Sequence, residues 1–424
     1  MKKYLPTAIA VLSFGFAIYA QNNSDQCGTM QMEQLLEQQN PNRAAERTAY
    51  EQNLQTYIVA HPNLGNDRSV ITIPVVVHLV YKIASQNISD AQIQSQITVL
   101  NQDWTRTNAD AANTPAAFTP VAANIGVNFC LATIDPSNNA TSGIERRQTT
   151  VTSFTANDSV KYYGHGGLDI WDPHNYLNIW VCNLGGGLLG YGEFPTSSVT
   201  STFGVVIKYD VFGSQNVYAN GTYLTEYNLG RTCTHEFSHC FNLYHIWGDD
   251  NGACWGTDLC SDTPNQANST SGAPTGVVTD LCSPSAPGIM YENYMDYSDD
   301  AVMNLFTNNQ KTRILATLNS APYNTLLLSD RCGILGVPNI SLSNGFEIYP
   351  SPTTGVFTIG FQNASPQNFD VDIYNVLGEL IYTHHYDALD ETEIHLDLEG
   401  NPAGIYFVEV RNTKERIIKK IMLN

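Results

Sequence analysis

Residues 235–245 read HEFSHCFNLYH, three histidines and a glutamate in one short run. On a helix, His235 and His239 lie one turn apart on the same face, where both imidazoles can bind one ion. Glu236 stands beside them, positioned to take a proton from water that the metal activates. Catalytic zinc is usually held by three protein ligands with a fourth position open, so two histidines are one short and His245 is the natural third. To bring His245 back to the same ion the helix must stop and the chain must turn. Glycine makes such a turn without strain and asparagine is the next most tolerant residue, which makes Asn242 the expected turn-former. Cys240 points about 100° away from His239, so it is expected to pack behind the site or to enter a disulfide, and the same holds for Cys233.

These side chains need a scaffold. Residues 21–68 are polar, with one amphipathic stretch at MQMEQLLEQQN and little that builds a core, and read as a pro-segment or arm. At Ser69 the character changes to SVITIPVVVHLVYK, a β-branched run of the length of a buried strand. In SDAQIQSQITVLNQDW, Ile93, Ile97, Leu100 and Trp104 recur at helical spacing behind Ser89 and Gln92, a pairing that resembles a capping box. GVNFCLATI, LNIWVCNL and FGVVIKYDVF read as further strands, with the glycine-rich turn GGGLLGYGEFP between the last two. Residues 246–290 form a long loop rich in Gly, Asp, Ser, Pro and Thr, and such loops are usually functional or stapled.

The chain of 424 residues is too long for one core. Its 20 basic and 40 acidic residues give a formal charge of -20, which disfavours nucleic acid and anionic membrane as partners. The start, MKKYLPTAIAVLSFGFAIYAQNNS, has two lysines, an apolar run and small residues ending at Ala20, the layout of a secretory signal peptide over 1–20. No later segment reaches the ~20 apolar residues of a membrane span. Nine cysteines in an exported chain argue for disulfides, and the odd count requires at least one to do something else.

Fifty positions after His245, Met295 lies in ENYMDYSDDAVMNLF. With the extended histidine motif and the flanking GGGLLGYGEFP, HIWGDD and SDTPNQ, this segment resembles the metzincin zinc peptidases, specifically the pappalysin (ulilysin-like) family, over roughly residues 69–320. The resemblance implies that His235, His239 and His245 bind zinc, that Glu236 is the general base, that Met295 forms a hydrophobic floor under the metal, and that Tyr297 stabilises the tetrahedral intermediate. It also implies a disulfide between Cys254 and Cys282, and the loss of another, because Val302 stands where relatives have cysteine. It leaves Cys260 unplaced, and the pairing of Cys130, Cys182, Cys233, Cys240 and Cys332 stays open. Calcium in the loop is a further implication, with Asp249, Asp250, Asp258 and Asp262 as candidate ligands, although each aspartate reads equally well as part of a solvated acidic loop. Asp299 and Asp300 follow the Met-turn near the wall that would receive the side chain after the scissile bond. A buried carboxylate there would prefer Arg or Lys, whereas either residue could instead cap a helix.

Cys27 lies in DQCGTMQ, and CGT resembles the latency motif of bacterial pappalysin zymogens. A thiolate is a good zinc ligand, so Cys27 is expected to occupy the water's position until the pro-segment leaves. Removing Cys27 from the count leaves eight, an even number, although a disulfide to another cysteine is the competing reading. Arg68-Ser69 is a reasonable maturation site. From Phe346 onward the pattern is short strands and turns: EIYPSPTTGVFTI, VDIYNVLGELI with a hairpin at Gly378, NPAGIYFVEV, and the basic KERIIKKIMLN. These four stretches resemble the type A sorting domain of the type IX secretion system.

The expectation is therefore an α+β protein: a metzincin-like catalytic domain of mixed twisted sheet and helices, then a small all-β sandwich. The expected divisions are signal peptide 1–20, pro-segment 21–68, catalytic domain 69–325, linker 326–345 and sorting domain 346–424. The expected function is a zinc endopeptidase acting on proteins or peptides, secreted or placed at the cell surface through the type IX machinery. The alternative is a catalytically inactive surface adhesin on the same scaffold.

Overall fold

A computed structural model describes residues 26–64, 71–332, 346–361, 367–389, 393–411 and 416–424. The expected signal peptide, the expected maturation site Arg68-Ser69 and residues 333–345 of the expected linker lie outside the described residues. The chain divides into two compact units, Met1–Arg331 and Cys332–Asn424.

In the first unit the β-branched run becomes β1 (Ile71–Tyr81), buried almost throughout. After it come β2 (Ala122–Ala123), β3 (Val127–Leu131), β4 (Ile144–Gln148), β5 (Leu177–Cys182), β6 (Gly190–Tyr191), β7 (Gly204–Lys208) and β8 (Phe306–Thr307). Among the described residues six of these form one sheet in the order β3-β1-β5-β7-β6, with β4 pairing the second half of β1. Pairings are parallel except at β6, which runs antiparallel to β7 and forms the edge.

The predicted helix is α3 (Asp90–Trp104), which packs Ile93, Ile97, Leu100 and Trp104 into the main core. Ser89 accepts from Gln92 N at 3.2 Å as a capping residue should, but the Gln92 side chain bonds Phe212 O and Thr222 O, so the box is half formed. The histidine motif lies on α4 (Arg231–Cys240), buried along its whole length, and α5 (Asn308–Asn319) follows β8. The expected linker start is not loose: residues 323–328 form a short 3-10 helix and Leu326 is buried in the main core.

The described part of the expected pro-segment, residues 26–64, is more ordered than its composition suggested. It forms α1 (Thr29–Gln39) and α2 (Arg43–Ala60). Their buried faces mix Met32, Tyr50 and Leu54 with charged Glu33, Arg43 and Arg47, so much of the docking energy comes from polar pairs that a hydropathy reading counts as solvent-facing.

The second unit holds β9 (Phe346–Tyr349), β10 (Val356–Phe361), β11 (Gln367–Asn375), β12 (Leu380–Leu389), β13 (Glu393–Asp397), β14 (Gly404–Arg411) and β15 (Arg416–Leu423). They form a three-stranded and a four-stranded sheet, all antiparallel, around one apolar core that includes Phe357, Ile373 and Val408. Gly378 sits at φ +82° in the β11–β12 hairpin, where a side chain would be strained. The overall class is the expected α+β.

Candidate active site

The motif helix ends as its sequence requires. Asn242 lies at φ +66°, its N–H donates to His239 O at 3.0 Å, and Leu243 N donates to Ser238 O at 3.0 Å. That pair of bonds is a Schellman turn with asparagine at the left-handed position. It redirects the chain so that His245 returns to the other two histidines.

Each imidazole is oriented by a bond at Nδ1: His235 to Tyr294 O at 2.7 Å, His239 to Leu243 O at 2.7 Å, and His245 to the Asp249 carboxylate at 2.9 Å. All three partners accept, so Nδ1 carries the proton and each Nε2 presents a lone pair. These three Nε2 atoms and Cys27 Sγ all lie within 4.8 Å of one another, the one such cluster of metal-ligating side chains among the described residues. His235 Nε2 and His239 Nε2 are 3.1 Å apart. Two lone pairs do not approach so closely without a cation, and nitrogens about 2.0–2.1 Å from a tetrahedral zinc stand about 3.3 Å apart. The donor set fits zinc. Burial, then repulsion by His245, holds the His235 imidazole down at about 3, and the same two causes push His239 well below the ordinary imidazole value. Both therefore stay neutral and ligand-competent.

Glu236 sits at the edge strand. Gly190 and Gly192 let it, since a Cβ at Gly190 would meet Glu236 Cγ at 2.8 Å and one at Gly192 would meet Glu236 O at 2.6 Å. Burial raises the Glu236 carboxyl to about 8, partly offset by bonds from Cys27, Thr29 and Gly192. Tyr297 OH is 3.3 Å from His245 Nε2 and 3.5 Å from Cys27 O. Met295 follows Tyr294, whose carbonyl fixes His235, and is wholly buried in the main core. The His245 ring also stacks on Trp247, with centroids 4.3 Å apart.

The N-terminal segment enters this site as an added strand. Leu189 N donates to Gln26 O and Gly28 N to Gly190 O, each at 2.8 Å, with Cys27 paired parallel to Gly190. Cys27 Sγ stands 3.5 Å from His239 Nε2 and donates to Glu236 Oε2 at 3.3 Å. Thr29 OH donates to the same carboxylate oxygen at 3.0 Å and accepts from Gly192 N at 2.8 Å. Burial, then the charge of Glu236, pushes the Cys27 thiol well up. The part played by Thr29 was carried by the T of the quoted CGT and was not drawn from it.

Other expectations fare unevenly. Cys254 and Cys282 are bonded, and Cys130 and Cys332 are each in a disulfide. Cys27, Cys182, Cys233, Cys240 and Cys260 are free and buried, so the argument from an even remainder fails. Asp249, Asp250, Asp258 and Asp262 join no cluster of three or more metal-ligating side chains among the described residues. Asp249 orients His245, Asp250 accepts from four loop N–H groups, Asp258 from Cys260 N and Thr263 OH, and Asp262 from Thr307 OH and Asn309 N. These short polar loops satisfy their own backbone with the carboxylates that were offered to an ion. Of the acidic pair, Asp300 is buried and lines a cavity with Gln26, Tyr227, His235 and Tyr297, and it accepts from Leu229 N and Arg231 N at the start of α4. Asp299 does not line that cavity.

Residues 167–319 match the family described as pregnancy-associated plasma protein-A, and residues 347–424 match the secretion system C-terminal sorting domain. The chain is similar to mature mirolysin of Tannerella forsythia in complex with a cleaved peptide, with 49% identity and a TM-score of 0.58 over 61% of this chain and 94% of that one. It is similar to a mutant promirolysin of the same bacterium, with 43% identity and a TM-score of 0.65 over 72% of this chain and 97% of that one. An extracellular metalloprotease of Pyricularia oryzae is 32% identical over 260 residues, 60% of this chain and 77% of that protein. No helix among the described residues is long and apolar enough to cross a membrane. A buried triad of zinc-competent imidazoles, this degree of likeness and a secretion sorting domain lead to one conclusion: the chain belongs to the pappalysin family of metzincin zinc metalloproteases and is a secreted or cell-surface hydrolase.

Proposed function

We propose that the protein is a zinc endopeptidase made in a latent form, with His235, His239 and His245 holding the metal, Glu236 as general base, and Cys27 as the lock. One observation carries this reading: three lone-pair nitrogens, a carboxylate and a pro-segment thiol converge in one buried place. Zinc bound there supplies Lewis acidity to the peptide carbonyl and lowers the pKa of water. Glu236 takes the proton of the attacking water and returns it to the leaving amine. The Tyr297 hydroxyl donates to the developing oxyanion. The β6 edge aligns the substrate through backbone bonds of the kind it makes with Gln26 and Gly28. The Asp300 cavity takes the side chain that follows the scissile bond and favours Arg or Lys. Cys27 and Thr29 together occupy the base and the metal face, so neither water nor substrate enters while they are seated. The wider match to promirolysin than to mature mirolysin supports reading the N-terminal helices as a pro-segment. The adhesin alternative gives no reason for Glu236 and Tyr297 to converge on the triad.

The test compares the full chain with Glu236→Ala and Cys27→Ala, each digesting a peptide library read by mass spectrometry. Glu236→Ala should keep one zinc and lose cleavage by about 10²–10⁴-fold, and Cys27→Ala should be active or self-degrading before processing. Equal cleavage by Glu236→Ala, or equal latency in Cys27→Ala, overturns the corresponding assignment.

A further inference from the structure

Glu51 belongs to α2, yet the groups that hold its carboxylate come mostly from the enzyme beneath. Arg313 Nη1 and Nη2 donate to its two oxygens at 2.8 and 2.9 Å, and Asn242 Nδ2 donates to one of them at 2.8 Å. Gln55, one turn along α2, adds a fourth bond at 2.8 Å. Against the upward push of burial, Arg313 and these amides hold the Glu51 carboxyl down at about 2.

The receptor's Arg313 is held in place by groups outside α2. Arg313 Nε and Nη2 donate to Asn242 O at 3.3 and 3.0 Å, and the guanidinium lies 5.5 Å from the Tyr244 ring centroid. Those contacts fix the plane of the fork, which suits a carboxylate. Glu51 is the carboxylate in salt-bridge contact with Arg313 among the described residues, and it leaves with the pro-segment.

The receptor also lies on the peptide's route. Gln26 lines the Asp300 cavity, Cys27 faces the histidines, Thr29 bonds Gly192, and Arg43 and Arg47 bond Phe194 O and Pro195 O. Phe194 touches both the His239 ring, centroids 5.2 Å apart, and the Tyr244 ring, 5.1 Å apart. Arg313 is thus two aromatic rings from His239, while the Asp300 cavity is lined by His235 and not by His239, Phe194 or Tyr244.

We propose that, once the pro-segment has left, Arg313 and Asn242 form a subsite of the cleft that binds the carboxylate of a substrate Glu or Asp lying N-terminal to the bond cut. This rests on the latent-form reading and on the Asp300 cavity receiving the residue after that bond.

The test uses the full chain after it has shed its pro-segment, a loss followed by mass. Quenched fluorogenic peptides carry Arg after the scissile bond and one Glu walked through about eight preceding positions, each paired with a Gln twin. One register should show a KM about tenfold lower for Glu than for Gln, with kcat little changed. That ratio should shrink in Arg313→Lys and at raised salt, while the Gln peptides report any general damage to the variant. A ratio of one in every register, with the peptides still cleaved, overturns the subsite and leaves the protease reading standing. If synthetic pro-segment inhibits in trans better than its Glu51→Gln form while no peptide register responds, the receptor serves the pro-segment alone and the subsite fails. A chain that is active without ever shedding residues 26–60 overturns the latent-form reading, and the subsite with it.

Discussion

Asn242 carries two loads that substitution separates. Its backbone holds the left-handed turn at φ +66°, and its side chain accepts from Arg47 Nη2 at 3.0 Å and donates to Glu51 at 2.8 Å, both on α2. Asn242→Gly keeps the turn and removes the amide. Asn242→Ala removes the amide and adds a left-handed cost of about 1 kcal/mol. In the unprocessed chain both variants lose two bonds to charged partners, each worth about 1.5–3 kcal/mol. Arg47 keeps the Tyr244 hydroxyl at 2.6 Å and Glu51 keeps Arg313, so the loss is not total. A loss of about 3 kcal/mol for Gly and about 4 kcal/mol for Ala follows, and at about 2 °C per kcal/mol for a unit of this size Tm falls by about 6 °C and about 8 °C. After processing, α2 is gone, so Gly should stay within about 1 kcal/mol of wild type and Ala should lose about 1 kcal/mol, or about 2 °C. Scanning calorimetry of both forms, following the transition of the larger unit, measures this. Equal destabilisation by Asn242→Gly before and after processing would refute the pro-segment role of the side chain. Equal Tm values for Ala and Gly after processing would refute the turn argument.

Two other predictions draw on different parts of the fold. The Cys254–Cys282 bond closes a separation of 28 residues, so Cys254→Ser with Cys282→Ser should cost about 3.5 kcal/mol and expose residues 246–290 to limited proteolysis; an unchanged Tm and nicking rate would sink the staple. Burial raises the Asp300 carboxyl to about 6, so the native state binds its proton more tightly than the unfolded chain does. Its contribution therefore declines as pH rises from about 4 to about 6, while the preference for Arg or Lys after the bond grows from about pH 5 to about pH 7 as the carboxylate ionises at about 6. Asp300→Asn keeps an oxygen for Leu229 N and Arg231 N, both of which use Oδ2, and should abolish both trends; a preference unchanged in Asp300→Asn would place specificity elsewhere.

The histidine motif was legible because helical spacing is a geometric rule: positions four apart share a face, and a left-handed residue must follow if the third ligand is to return. The α3 pattern and the change to short strands at Phe346 were legible for the same reason, that a period in the sequence maps to one face of an element. The docking of the expected pro-segment was not. Its anchoring groups are Glu33, Arg43, Arg47 and Glu51, and whether such side chains face water or one another depends on Glu193, Asn242 and Arg313 far along the chain. The loop aspartates illustrate the opposite case. A run of aspartates looks like an oxygen cage, but each short loop needs acceptors for its own N–H groups, and Asp250 alone answers four of them.

The cysteines show why counting is weaker than placement. Parity assumes that a buried thiol in an exported protein seeks a partner, yet Cys233 and Cys240 lie on α4 seven positions apart and join Phe237 and Phe241 in the main core as small apolar side chains. A helix buried on every side needs such fillers where larger residues would push the histidines out of register. Cys27 is as buried and as free as they are, so neither burial nor oxidation state singles it out. Its backbone does: the bridge to Gly190 and the bonds to either side of it fix Sγ beside Glu236 and His239, and Thr29, two residues on, bonds the same carboxylate. The CGT resemblance reaches Cys27 from the sequence; an edge strand able to accept an added chain brings Thr29 in beside it.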